Sequence, residues 1–335
     1  MTVQGGRPLL IMGAGAWGTA LAVVIARSGY QVYLWGRDPT QLAALASDRE
    51  NARYLPGIEF PSTLVPLVTL DALPKSIYAA VLATPLQSTR VTVRQALEHG
   101  LRSFICLAKG IELDTQLLVH EIIAEEAGRE APVALVSGPN FAREVAEGRP
   151  AALTVATRDD ALGNAVVRYL HGPSLRPYRT DDLNGVAVAG AVKNVMAIAA
   201  GIADGLTLGA NSRAALITRA LNEMTRFGVA LGGKAETFMG LAGLGDLVLT
   251  CTDDQSRNRR FGLALGRGVD PRTAVQDIGL VEGIPTAAAV IARAASVKIE
   301  MPICAQVAST LRGECTPEQA VAALMRRELP RAASG

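Results

Sequence analysis

Aromatic side chains make up only 4% of this 335-residue chain, and histidine occurs three times and cysteine four. With so few large rings, the interior must be built from small and aliphatic residues, which suits tight helix packing and glycine-rich loops. The histidines offer little chemistry. His99 and His120 fall in helical patterns, and His171 precedes Gly172-Pro173 in a turn. None has a nucleophile partner, no G-x-S-x-G elbow occurs, and no two-histidine metal motif is present. Cys106, Cys251, Cys304 and Cys315 show neither metal spacing nor a disulfide framework, so a reducing, cytosolic setting is expected. Charge of one sign is also lacking. Lys and Arg total 33 against 31 Asp and Glu, a formal net charge of +2, which gives no general affinity for nucleic acid. The opening MTVQGGRPLL runs straight into a strand-like segment, and no signal peptide is expected.

Hydrophobic residues supply 49% of the chain, ample for real cores, and the length favours two domains. Strand patterns at 9–13, 31–35, 79–83, 103–108, 133–137 and 151–156 alternate with helical ones, for instance 17–28, 88–99 and 114–127. That rhythm predicts a doubly wound, mostly parallel α/β sheet. After about residue 184 it gives way to helix upon helix. The expected division is an α/β domain over 1–184 and an all-α domain over 185–335, with the tail Arg331–Gly335 frayed.

Directly after the first strand stand Gly13-Ala14-Gly15-Ala16-Trp17-Gly18, and a helical pattern follows. A G-x-G-x-x-G between strand and helix is the Rossmann-like dinucleotide fingerprint. Gly13 makes the tight turn, Gly15 lets backbone approach a pyrophosphate, and Gly18 lets helix and strand pack closely. The free N–H groups of the helix start then face the anion. Past the second strand comes Arg37-Asp38. An arginine there accommodates a 2′-phosphate and an acid would hold a 2′-hydroxyl, so NADPH is preferred, with NADH as the other cofactor.

One long apolar run exists, Gly185–Ala203, and at its centre are Lys193 and Asn194. A membrane span is one reading, but a central Lys-Asn pair is costly in lipid and no flanking basic bias accompanies it. As a core helix, the run either lets Lys193 snorkel to the surface or buries an ammonium whose charge is easily moved. A lysine of the second kind is a proton donor or acceptor. Other polar groups gather at strand ends and helix starts. Lys109-Gly110 follow FICLA, and Ser137-Gly138-Pro139-Asn140 follow VALV, with Pro139 expected near the first turn of a helix. Asp246 lies among Leu244, Gly245, Leu247 and Val248. Ser256-Arg257-Asn258 opens a helical pattern as cap and first turn, a basic start that is understandable if an anion binds there.

GAGAWGTALA, AKGIE, VSGPNFA, GAVKN, FMGLAGLGDLVLTCTDDQSRNRRFG and a later VEG, in this order over residues 9–283, resemble bacterial-type NAD(P)-dependent glycerol-3-phosphate dehydrogenase. The resemblance implies reversible reduction of dihydroxyacetone phosphate to sn-glycerol 3-phosphate for phospholipid synthesis. It makes Lys193 the acid/base and Lys109, Gly138, Asn140, Asp246, Ser256, Arg257 and Asn258 the substrate side. On the cofactor side it puts Ala16, Trp17, Arg37, Ala142, Leu280 and Glu282, shared by Lys109 and Arg257. It further implies a cytoplasmic homodimer. Asn140 stands where a small hydroxyl residue is common, and the stretch after Glu282-Gly283 is less polar than usual. Two rivals are a dehydrogenase of carboxylate-bearing hydroxy acids and a non-catalytic NAD(P)H sensor. The first often has asparagine four residues after the lysine, where this chain has Ala197. The second leaves a buried lysine unexplained.

Overall fold

The computed structural model describes residues 6–326, so the tail at 331–335 lies outside the described residues. The first half is β1 (Leu9–Met12), α1 (Ala16–Arg27), β2 (Val32–Trp35), α2 (Pro39–Asp48), β3 (Glu50–Asn51), β4 (Leu55–Glu59), β5 (Leu64–Leu67), β6 (Ala79–Leu82), α3 (Thr89–Glu98), β7 (Phe104–Cys106), α4 (Val119–Ala127), β8 (Val133–Ser137), α5 (Ala142–Ala146), β9 (Ala151–Ala156), α6 (Asp160–Leu170) and β10 (Leu175–Thr180).

Eight of these strands form one sheet in the order β10-β9-β8-β7-β6-β1-β2-β5, while β3 and β4 pair separately. From β5 to β8 every pairing is parallel; β9 lies antiparallel to β8 and parallel to β10. The sheet is therefore mostly parallel and doubly wound, as expected. Its six parallel strands follow the dinucleotide-binding order, which reverses direction between β1 and β6. All four residues of β1 and of β6 are buried, the continuous apolar reading of strands covered on both faces.

Beyond the sheet every regular element is helical: α7 (Leu183–Gly205), α8 (Gly209–Ala230), α9 (Ala235–Met239), α10 (Asp246–Thr252), α11 (Arg257–Gly266), α12 (Pro271–Ile278), α13 (Gly283–Ser296), α14 (Pro302–Leu311) and α15 (Pro317–Arg326). Asp182 starts α7 by accepting the Gly185 N–H at 2.8 Å, and its other oxygen accepts from Lys234 N and Thr237 Oγ1. The helix then runs through a core it shares with one face of the sheet, with α8, α10, α11 and α13 around it. By length and composition Leu183–Gly205 is apolar enough to cross a membrane, but its whole apolar window is buried in protein. Each fully buried Val or Ile there contributes about 1.5–3 kcal/mol.

Glycine lets α7 and α11 approach to backbone contact. A Cβ on Gly262 would lie 2.0 Å from the Ile198 carbonyl oxygen, one on Gly266 2.4 Å from that of Ile202, and one on Gly201 2.1 Å from that of Arg259. At the head of this seam Asn258 Nδ2 donates to Asn194 Oδ1 at 3.1 Å. The two helices thus run parallel and in step, backbone against backbone at these glycines.

Candidate active site

Gly13 leaves β1 at φ 130, a value that favours glycine, and a Cβ there would meet the Ala83 carbonyl oxygen at 2.5 Å. This turn lies where the strand order reverses. Gly18 is equally constrained: its Cβ would fall 2.0 Å from the Gly13 oxygen. Gly15 differs, for a Cβ on it would meet nothing within 4 Å. It caps α1 without a side chain, no acid occupies the first turn, and the Gly15, Ala16, Trp17 and Gly18 N–H groups have no acceptor among the described residues. Open space faced by free N–H groups and a positive helix end fits a dinucleotide pyrophosphate. At the end of β2, Asp38 caps α2 by accepting from Thr40 N and Gln41 N, while Arg37 is exposed and makes no ion pair among the described residues. Ala142 opens α5, and exposed Leu280 lies between α12 and α13.

Two strands further along the same sheet edge, β7 delivers Lys109. Its Nζ donates to Asp246 Oδ2 at 2.7 Å. Asp246 enters from the helical half, where the single π-helical turn Leu241–Gly245 runs into α10. Such turns recur at functional sites. Asp246 begins α10, where the helix dipole favours a carboxylate. From α7, Lys193 Nζ donates to Asp246 Oδ1 at 2.7 Å and to Thr250 Oγ1 at 2.8 Å. One carboxylate, 1% exposed, therefore holds two ammonium groups, and Lys193 is itself 7% exposed. Lys193 does not snorkel.

The electrostatics follow from that geometry. Burial penalises the Lys193 ammonium and the Lys109 charge adds repulsion; Asp246 opposes both, and the net effect brings the pKa down to about 8. Burial works against the Asp246 charge as well, but the Lys109 and Lys193 ammoniums outweigh it and hold the carboxyl below its ordinary value. The core of the site keeps one positive charge in excess. Glu282, half-buried just before α13, has its pKa raised by burial against the opposing charges of Arg257, Lys109 and Lys193.

Around this centre the expected residues divide. Ser256 caps α11 as expected, accepting the Arg259 N–H at 3.2 Å. Arg257, in the first turn, is exposed and unpaired among the described residues, whereas its neighbour Arg259 is bound to Asp204 and Asp254. Asn258 braces the helices: its Oδ1 accepts the Gly283 N–H at 2.8 Å while its Nδ2 reaches Asn194. Gly138, at φ 147, lets the loop after β8 pass close to Leu153 and Ala152. Asn140 donates to the Ala152 carbonyl at 3.0 Å, leaving its buried Oδ1 without a partner among the described residues. Pro139 does not open a helix: α5 starts at Ala142, capped by Phe141, because the chain must first cross from β8 toward the helical half beside Gly245.

Two residues beside the lysine were not assigned to the site from the sequence. Thr250 lies four residues after Asp246, on the same helix face, a spacing that could have revealed it. Asn194 Nδ2 is a buried donor without a partner among the described residues, beside the lysine. Among these residues no group of three or more His, Cys, Asp or Glu side chains could hold a metal ion. The arrangement supplies an anion cradle for a dinucleotide, a shared-carboxylate lysine pair, and an unpaired guanidinium at a helix start.

Residues 8–163 match the family described as NAD-dependent glycerol-3-phosphate dehydrogenase N-terminus, and residues 182–322 match the corresponding C-terminus. A glycerol-3-phosphate dehydrogenase [NAD(P)+] of Thioalkalivibrio sulfidiphilus is 48% identical over 324 residues, covering 96% of this chain and 97% of its own length. That of Herminiimonas arsenicoxydans is 47% identical over 331 residues, covering 96% and 98%. The crystal structure of glycerol-3-phosphate dehydrogenase from Coxiella burnetii superposes with a TM-score of 0.92 at 43% identity, over 96% of this chain and 99% of that one. D-mandelate dehydrogenase, at 13% identity and a TM-score of 0.62, shares the fold alone.

Proposed function

The chain belongs to the NAD-dependent glycerol-3-phosphate dehydrogenase family, and from that premise we propose that Lys193 is the acid/base of a reversible reduction of dihydroxyacetone phosphate to sn-glycerol 3-phosphate. The observation that carries this reading is the Lys109–Asp246–Lys193 array at the carboxyl edge of the sheet. Residues 1–184 form the cofactor-binding unit and residues 185–335 the substrate unit. Gly13, Gly15, Ala16, Trp17 and Gly18 cradle the pyrophosphate, with Ala142, Leu280 and Glu282 also on the cofactor side. Arg37 favours NADPH over NADH. Reduced nicotinamide, when bound, supplies the hydride.

The remaining chemistry belongs to the protein. Lys193 hydrogen-bonds the ketone oxygen and donates its proton as that oxygen becomes an alkoxide; in the oxidation, neutral Lys193 takes the proton back. Asp246 and Thr250 fix the direction of Lys193 Nζ. The excess positive charge shared by Lys109 and Lys193 stabilises the developing oxyanion. Arg257, Ser256 and Asn258 at the start of α11 hold the phosphate and so position C2, with Lys109, Gly138 and Asn140 completing the pocket. Replacing Arg257 by alanine is expected to raise KM for dihydroxyacetone phosphate roughly 10- to 100-fold with a smaller change in kcat, since a charge-assisted contact to phosphate is lost. Steady-state kinetics at saturating NADPH checks it, and an unchanged KM removes Arg257 from the phosphate site.

The direct test mixes the protein with dihydroxyacetone phosphate and either NADPH or NADH and follows nicotinamide absorbance. Oxidation of the cofactor with this substrate, and not with a 2-keto acid, is the expected result. Binding of NADPH without turnover would mean a sensor instead, and a higher kcat/KM with NADH would remove the preference ascribed to Arg37. The product suits glycerophospholipid synthesis in the cytoplasm, where Cys106, Cys251, Cys304 and Cys315 stay free thiols. Family resemblance supports a homodimer.

A further inference from the structure

The glycine loop is held from behind by two side chains remote from it in sequence. Asn51, at the end of β3, is fully buried. Its Nδ2 donates to the Ala14 carbonyl oxygen at 3.0 Å and to Thr19 Oγ1 at 2.8 Å. Its Oδ1 accepts the Tyr54 N–H at 3.3 Å, which fixes which end of the amide is which, because a flipped amide would set oxygen against the Ala14 carbonyl. Gln41, on α2, donates a second bond to the same Ala14 oxygen at 3.0 Å.

The consequence lies on the other side of one peptide unit. In a trans peptide the carbonyl and the following N–H point in opposite directions. Holding the Ala14 oxygen toward Asn51 and Gln41 therefore turns the Gly15 N–H the other way. That N–H has no acceptor among the described residues, and the position beside it is open. The Asn51 bond to Thr19 ties the same amide to the first turn of α1.

We propose that Asn51 and Gln41 are positioning residues for the cofactor: they fix the Ala14–Gly15 peptide so that the Gly15 N–H is already aimed at the dinucleotide pyrophosphate before it arrives. Neither touches the cofactor itself. The gain is preorganisation, since a peptide free to rotate would have to be ordered on binding. The proposal rests on the dinucleotide reading of this loop.

Calorimetric titration of the full chain with NADPH, NADH and ADP-ribose tests it, because these ligands share the pyrophosphate and differ elsewhere. Asn51→Ala is expected to weaken all three by a similar factor, roughly 10- to 100-fold. In turnover, kcat at saturating NADPH is expected to stay within about twofold, with KM for dihydroxyacetone phosphate unchanged. Gln41→Met removes one of the two bonds from a half-buried site and is expected to weaken the same ligands by roughly 3- to 10-fold. It decides the matter if Asn51→Ala does not fold. Unchanged ADP-ribose affinity in a folded Asn51→Ala, or in Gln41→Met when that is the variant available, overturns the proposal. A wild-type chain that binds none of the three ligands overturns the cofactor reading, and the positioning role with it.

Discussion

Lys193→Ala is expected to lower kcat for reduction of dihydroxyacetone phosphate by about a thousandfold or more, because it removes a general acid and an oxyanion donor together. NADPH affinity should be nearly unchanged, since the glycine loop and α1 lie on a different element. Single-turnover kinetics with a parallel binding titration separates the two, and near-normal turnover would end the assignment. The wild-type pH profile carries the same information. Reduction needs the ammonium form, so its rate should fall as pH rises through about 8, where burial brings the Lys193 pKa. Oxidation of glycerol 3-phosphate needs the amine and should rise over the same interval. Lys193→Arg keeps a charge that cannot be released and is expected to abolish this opposed pair of profiles, with little activity remaining in either direction.

Asp246→Asn is expected to cost both activity and stability. The amide matches the carboxylate in shape but leaves Lys109 and Lys193 facing each other without a counter-charge. Removing one partner from a buried ion pair typically costs about 3–5 kcal/mol, read here as a lowered denaturant midpoint. The activity loss is expected to be roughly 100- to 1000-fold near neutral pH, since the Lys193 proton becomes harder to hold. The sign is specific. Without the aspartate the Lys193 pKa falls further, so what reductase activity remains should move toward lower pH. A variant whose inflection stays near that of the wild type would show that Asp246 does not set the charge on Lys193.

What could be read from the sequence divides along physical lines. The strands covered on both faces, such as Leu9–Met12 and Ala79–Leu82, are continuous apolar runs and were legible. Leu55–Glu59, Leu64–Leu67 and Leu175–Thr180 were not, because each contains a proline, which argues against a central strand. The last two form the two edges of the main sheet, where proline is tolerated. The helix expected from Asp114 begins only at Val119, because Ile111 bridges to Leu118 and Gln116 sits at φ 57. Lys193 announced itself as a charge in an apolar helix, and Ser256 as a cap. Neither the pairing of Lys109 with an acid 137 residues away nor the Asn51 bond to Ala14 has a local signal. Those contacts exist only once the sheet edge and the helical half meet.

The glycine seam between α7 and α11 acts as a fixed gauge. One helix carries the proposed proton donor and the other begins with the proposed phosphate anchor, and their spacing is set by backbone touching backbone. Side chains can change rotamer, but two main chains in contact have nothing left to yield. The distance between the start of α11 and the turn of α7 that bears Lys193 is therefore a property of the scaffold. A methyl group added at Gly262 would act as a shim, lengthening that measure and detuning the enzyme from a site remote from any reacting atom.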